Sequence, residues 1–188
     1  MHPQLEAIVA AFETADTRLH RLVDQLPDAR WTSRPGPDRW SAAECVEHLN
    51  LTSKAYIPLF RRALESAASK PRNATHHYRR DFLGWLFSAM VGPMPRLGKT
   101  SLGKVKTTPD FVPRGMVNRA EAVAEFDHLQ SDLIGLTGQA DGFPLEEMMI
   151  VSPFGGKIRY NFYAALRILP RHQERHLAQA EEAATAGK

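Results

Sequence analysis

The sequence predicts an all-α fold, a four-helix bundle, and three observations carry that reading. Apolar residues recur at three- and four-residue steps in four separate stretches, a reciprocal capping pattern opens the second of them, and no segment alternates convincingly with the period of two that a half-buried strand requires. A chain of 188 residues, 43% hydrophobic and 24% charged, can bury one sizeable core, so a single domain over 1–188 is expected.

In the first stretch Leu5, Ile8, Val9, Phe12, Leu19, Leu22 and Leu26 place one apolar stripe along a helix of about six turns. Pro27 and the run "SRPGPDRW" stop it, because proline cannot donate the next backbone bond and Pro-Gly-Pro favours turns. Ser41 then stands as an N-cap with Glu44 three residues on, the pattern in which each side chain bonds the other's backbone N–H. The second helix should run from there through "AAECVEHLNLTSKAYIPLFRRALESAA", with a bend at Pro58. Ala122, Phe126, Leu129, Leu133 and Leu136 give a third helix bounded by Gly138, and a fourth spans roughly Tyr160 to Ala184. Pro170 lies inside this last pattern, where a kink would leave the Leu166 carbonyl without its helical partner.

The connection between the second and third helices, about 71–117, is far longer than the usual link of a bundle. Within it "FLGWLFSAMVG" (82–92), preceded by Arg79 and Arg80, is apolar on nearly every face and should form a short extra helix. Three roles are open to it: a cover over the end of the bundle, a dimer surface, or a contact with a membrane surface. The following "KVKTTPDFVPRG" should be extended.

The net charge of +3 hides an asymmetry. Residues 70–119 hold ten Lys or Arg against Asp81 and Asp110, a local +8 that leaves −5 for the remainder. Such a segment suits an anionic ligand or a solvated linker; stacking aromatics are not interleaved with the charges, so no nucleic-acid partner is expected. Cys45 is the sole cysteine, the first residues lack the order of a signal peptide, and no apolar run is long enough to span a bilayer, which together point to the cytoplasm. No phosphate-binding glycine loop, nucleophile elbow or His-Glu-x-x-His occurs.

The chemistry-bearing pattern is "RHQERH". On an ideal helix His172 and His176 are about 40° apart, on the face that also carries Phe162, Ala165, Ile168, Leu169, Ala180 and Ala183. His48 shares its face of the second helix with Cys45, Leu51, Thr52, Ala55, Tyr56 and Leu59, again the side that a bundle buries. Three inward imidazoles are costly unless their nitrogens are satisfied, so they read either as hydrogen-bonded core histidines or as ligands of a divalent ion. Imidazole donors suit Zn²⁺, Ni²⁺, Cu²⁺ or Fe²⁺, with Zn²⁺ and Ni²⁺ foremost, and three ligands leave a position open for chemistry. His2, His20, His76, His77 and His128 are weaker candidates. Cys45 reads as a small core residue, and Glu44 as a cap partner or as a partner or base for His48.

Taken in order, "DRWSAAECVEHLNLT", "KVKTTPDFVPRG", "SPFGGKIRY" and "HQERHLAQ" resemble the DinB-like superfamily, also called YfiT-like, over most of the chain. The resemblance implies a four-helix bundle of up-down-down-up connectivity, commonly dimeric, with a metal held by one histidine of the second helix and a His-x-x-x-His of the fourth. Those ligands fall on His48, His172 and His176. Where many relatives carry His-Pro before a Phe-Gly turn, Ser152-Pro153 precedes Phe154-Gly155 here, so any role of that histidine is absent. Characterised relatives include S-transferases using bacillithiol or mycothiol. The resemblance therefore implies a metal-dependent enzyme that activates a low-molecular-weight thiol for transfer to a small electrophile; the basic connection, longer than a minimal member of the family would have, could then help to hold an anionic thiol. The alternatives are a metal-dependent hydrolase, or a non-catalytic interaction protein that uses the apolar 82–92 segment.

Overall fold

The computed structural model describes residues 1–72, 77–93, 107–155 and 158–186, together with the backbone of 96–97 and 100–101. The protein is mostly helical. Four long helices, α1 (Pro3–Gln25), α3 (Ala42–Ala67), α5 (Arg119–Gln139) and α6 (Phe162–Thr185), are joined by a one-turn α2 (Asp28–Trp31) and a shorter α4 (Phe82–Val91). Each long helix starts where local chemistry satisfies its first N–H groups. Ser41 and Glu44 form the expected reciprocal cap of α3, Asn118 Oδ1 accepts from Glu121 N at the start of α5, and Asn161 Oδ1 accepts from Ala164 N at the start of α6. Pro58 and Pro170 both lie inside continuous helices.

Side-chain bonds fix how the long helices lie. Gln4 Nε2 donates to the Tyr163 hydroxyl (2.9 Å) and Arg18 pairs with Glu181 near the other ends, so α1 and α6 run alongside in the same direction. Asn50 Nδ2 donates to Ala122 O (2.9 Å) and Arg61 pairs with Asp132 (2.7 Å), which sets α3 and α5 likewise. Gln130 Nε2 reaches Phe12 O and Arg119 reaches Val23 O, so α5 opposes α1; Phe60 meets Phe162 and His48 meets His172, so α3 opposes α6.

The apolar interior falls into two clusters. One gathers Phe12, Tyr56, Phe60, Leu133, Phe162 and Leu169; the other gathers Leu19, Trp31, Val46, Leu49, Phe126 and Leu177. Between them lies a buried polar level holding His48, Gln130, His172, Gln173 and His176. Gln130 and Gln173 close part of it by bonding each other's carboxamides (2.6 and 3.3 Å).

The extra helix expected at 82–92 is α4, and it packs on α6. The expectation of no strands needs correction. Among the described residues two short antiparallel pairs form: β1 (Arg96–Leu97) with β2 (Thr100–Ser101), and β3 (Met149–Val151) with β4 (Arg159–Asn161). Strands of two or three residues are too brief for a period of two to rise above chance, which is why the pattern was invisible. The "KVKTTPDFVPRG" stretch, expected to be extended, contains a 3₁₀ turn at Pro109–Phe111 between extended Thr108 and Val112; its residues 104–106 lie outside the described residues.

Asp81 ties α4 to the start of α6, accepting from Gly84 N within its own helix and from Asn161 N (2.9 Å) across to α6. The contact requires glycine at 84, where a Cβ would run into the Cβ of Ala164 and come within 2.7 Å of Asp81 Oδ1. Gly84→Ala should therefore cost about 1–3 kcal/mol despite alanine's better helix propensity, read as a lower urea midpoint with an unchanged slope. An unchanged or raised midpoint would show that α4 does not sit this close to α6.

Candidate metal centre

His48 comes from the second turn of α3, His172 and His176 from successive turns of α6, and their exposures are 2%, 6% and 8%. All three rings meet, with centroids 5.0 Å apart for His48–His172 and 4.4 Å for both His48–His176 and His172–His176. One nitrogen from each lies within 4.8 Å of the others, so the group could hold a metal ion.

The hydrogen bonds decide which nitrogens face the centre. His48 Nδ1 lies 2.8 Å from the carbonyl of Phe111, in the 3₁₀ turn. A carbonyl only accepts, so Nδ1 carries the proton and Nε2 of the neutral ring presents a lone pair. That Nε2 lies 3.2 Å from His172 Nε2. Two nitrogens bound tetrahedrally at the usual zinc distance would stand roughly 3.3 Å apart, so the spacing fits an ion between them. The Nδ1 atoms of His172 and His176 are buried without a partner, which marks these rings as something other than satisfied core histidines.

Electrostatics keeps the site uncharged. Burial pushes His48 down to about 4, against a smaller upward effect of the Phe111 bond, and Arg175 lowers it further. Burial likewise holds His172 and His176 well below the ordinary range; neighbouring imidazoles and Arg175 add to it, against a smaller upward effect of a Gln179 bond on His176. Neutral imidazoles are the form that binds a metal.

Aromatic rings enclose the group. Half-buried Trp40 lies 4.9 Å from His48 and is stacked on His176 at 5.8 Å, while Phe154, in the turn after β3, lies 5.9 Å from His172 and 4.5 Å from Phe111. Ser152 is buried beside this turn; its Oγ accepts from Phe154 N and bonds the hydroxyl pair of Tyr56 and Tyr160, so it fastens the turn that holds Phe154 to the core.

Glu44 is placed at the cap and not at the centre. Burial would raise its carboxyl, but bonds from Arg34 and Ser41 outweigh that and hold it below its ordinary value. Cys45 is 1% exposed and its thiol is pushed up to about 12 by burial, which makes it a core group. A second grouping, Asp16, His20 and Asp127, is half-exposed between α1 and α5, with His20 Nε2 3.0 Å from Asp127, and reads as an interhelical polar contact.

Sequence reasoning found the three histidines but assigned no role to Phe111 O, Trp40 or Phe154, although all three lie in the segments that carry the family resemblance. A backbone carbonyl carries no residue-type signal, and the two rings sit in turns that no periodicity positions. Four long helices around a buried three-histidine group define a helical protein with a possible metal site on facing helices. The chain belongs to the DinB superfamily, whose model matches residues 11–180. Neither among curated proteins nor among solved structures does anything match it.

Because the imidazoles are buried neutral, protonation favours the unfolded chain. Stability of the chelator-treated protein should be full above about pH 6.5 and fall as pH drops towards about 4, by about 3 kcal/mol for His48 alone. Urea midpoints across that range measure it; a flat profile would mean that the rings are already charged or already exposed.

Proposed function

We propose that this DinB superfamily member is a metal-dependent enzyme whose divalent ion is held by His48, His172 and His176. The observation that carries the reading is the pair of inward Nε2 atoms 3.2 Å apart in a group of imidazoles that burial keeps neutral. Zn²⁺ or Ni²⁺ suits such donors. In this reading the long helices form a four-helix bundle of up-down-down-up connectivity, supported by α1 lying along α6 and α3 along α5, each opposed to the other pair.

Bound there, the metal would supply Lewis acidity at an open position, lowering the pKa of a low-molecular-weight thiol such as bacillithiol or mycothiol. The chain's residues do the rest. Phe111 fixes the tautomer and orientation of His48, as second partners of ligating histidines do. Trp40 and Phe154 limit water at the rings. Arg175, whose charge acts on all three imidazoles, favours an anionic sulfur over a neutral thiol. In the transfer the S–H proton goes to solvent, a sulfur–carbon bond forms with the small electrophile, and the departing group keeps the electron pair of the bond it breaks. The reading takes the protein as a homodimer, as the family resemblance implies, and places it in the cytoplasm on the lone cysteine. Water in place of the thiol would make a hydrolase.

Protein purified without chelator or nickel resin should carry about one ion per chain, and His172→Ala should lose it at least tenfold in affinity while keeping its helical spectrum. Metal at parity in both, or in neither after reconstitution with Zn²⁺ or Ni²⁺, would end the assignment. With Co²⁺ as a reporter, an added thiol should produce a sulfur-to-metal charge-transfer band; a spectrum that ignores thiol but responds to pH would favour the hydrolase.

A further inference from the structure

α4 has no charged side chain, and it exposes five large apolar ones: Phe82 (73%), Leu83 (48%), Trp85 (52%), Leu86 (41%) and Met90 (41%). The helix is already docked by its other face, through Gly84, Ser88 and Val91. The exposed face is therefore surplus to packing, and a contiguous apolar face of this kind marks a contact site.

What it contacts is decided by its rim. Arg79 and Arg80 lead into α4, and α6 sends up three more guanidinium groups alongside it. Arg171 Nε donates to Ser88 O (3.2 Å), Arg175 to Met90 O (3.1 Å) and Arg167 to the Tyr163 hydroxyl (3.3 Å), while Arg80 reaches Ser88 Oγ (3.4 Å). Among the described residues these four donate to neutral oxygens and pair with no carboxylate. Burial lowers Arg80, and the charges of Arg167 and Arg171 lower it further against a smaller upward effect of Tyr163, so these guanidinium groups lie close enough to repel one another.

A second copy docking α4 on α4 about a two-fold axis would set this rim against itself, a like-charge contact that opposes association. An anionic lipid surface meets both requirements at once. Aromatic and aliphatic side chains enter the boundary between head groups and acyl chains, and flanking arginines stay at the level of the phosphates. We propose that α4 docks the protein on an anionic bilayer surface, with Phe82, Leu83, Trp85 and Leu86 inserted and Arg79, Arg80, Arg167 and Arg171 facing the lipid phosphates. A ten-residue helix that lies in the surface gives shallow, reversible binding. No helix among the described residues is long and apolar enough to cross a membrane. This contact does not rest on the metal.

The test is sedimentation of the full chain with vesicles of phosphatidylcholine alone and of phosphatidylcholine with phosphatidylglycerol at about one lipid in four. Binding should require the anionic lipid and weaken in high salt. The variant Phe82→Ser/Trp85→Ser/Leu86→Ser changes exposed positions only and should bind about tenfold less or worse while keeping the wild-type metal content and helical spectrum. Arg80→Gln/Arg167→Gln should lose the preference for the anionic lipid. Absence of binding to the mixed vesicles overturns the proposal, as does equal binding to phosphatidylcholine alone. So does a solution dimer that the triple substitution converts to monomer while wild type ignores both vesicles, which would assign the face to a second copy.

Discussion

His48, His172 and His176 occupy a level between two apolar clusters, where each ring nitrogen must find a partner or stay neutral and unpaired. Above and below that level the helices meet through Phe, Leu and Ala, and within it they meet through groups that can bond only if their placement is right. Gln130 and Gln173 solve the problem reciprocally on the α5 side. The histidines solve half of it: His48 has the Phe111 carbonyl, but two Nδ1 atoms are left over. A buried polar atom left without a partner costs about 1–3 kcal/mol, so a fold keeps such a level only if something else is gained there.

That imbalance weighs on how the site is read. A core histidine kept for packing would be expected to satisfy both nitrogens, as His48 does on its Nδ1 side. A ligand needs one nitrogen bare and the ring uncharged, and the second nitrogen held by an acceptor only where orientation matters. Among the described residues His48 meets all three conditions and carries the backbone partner, which makes it the fixed reference of the group; His172 and His176 are oriented instead by the helix they share, by contact with Phe154 and Trp40, and for His176 by a bond with Gln179.

The sequence made much of this legible. Helix faces follow from 3.6-residue periodicity, so the inward direction of His172 and His176, and of His48 on its own helix, could be read from Phe162, Leu169, Tyr56 and their neighbours. The reciprocal cap of Ser41 and Glu44 was readable for the same reason, since it is local chemistry at fixed spacing. It also accounts for Glu44: a carboxylate that the cap and Arg34 both engage is not free to turn towards an imidazole. Less was legible where position depends on tertiary contact. The β3–β4 pair, three residues each, exists because Ile150 and Tyr160 are buried by helices around them and not because either segment has a strand pattern. Phe111, Trp40 and Phe154 reach the centre from three separate turns, and nothing periodic links those positions.

The long connection between α3 and α5 makes sense in these terms. It returns to the same region of the molecule twice. Through α4 it meets α6, where Arg171 and Arg175 donate to Ser88 O and Met90 O, the last carbonyls of a helix whose C-terminus favours positive charge. Through the 3₁₀ turn it places Phe111 O on His48. Arg175 is adjacent to His176 in sequence, so one side chain that holds down α4 also sets the field at the imidazoles. A two- to eight-residue link of the usual kind could join α3 to α5, but it could reach neither place. The extra length is thus bound to the histidine level at both contacts, through Arg175 from α4 and through Phe111 O from the 3₁₀ turn.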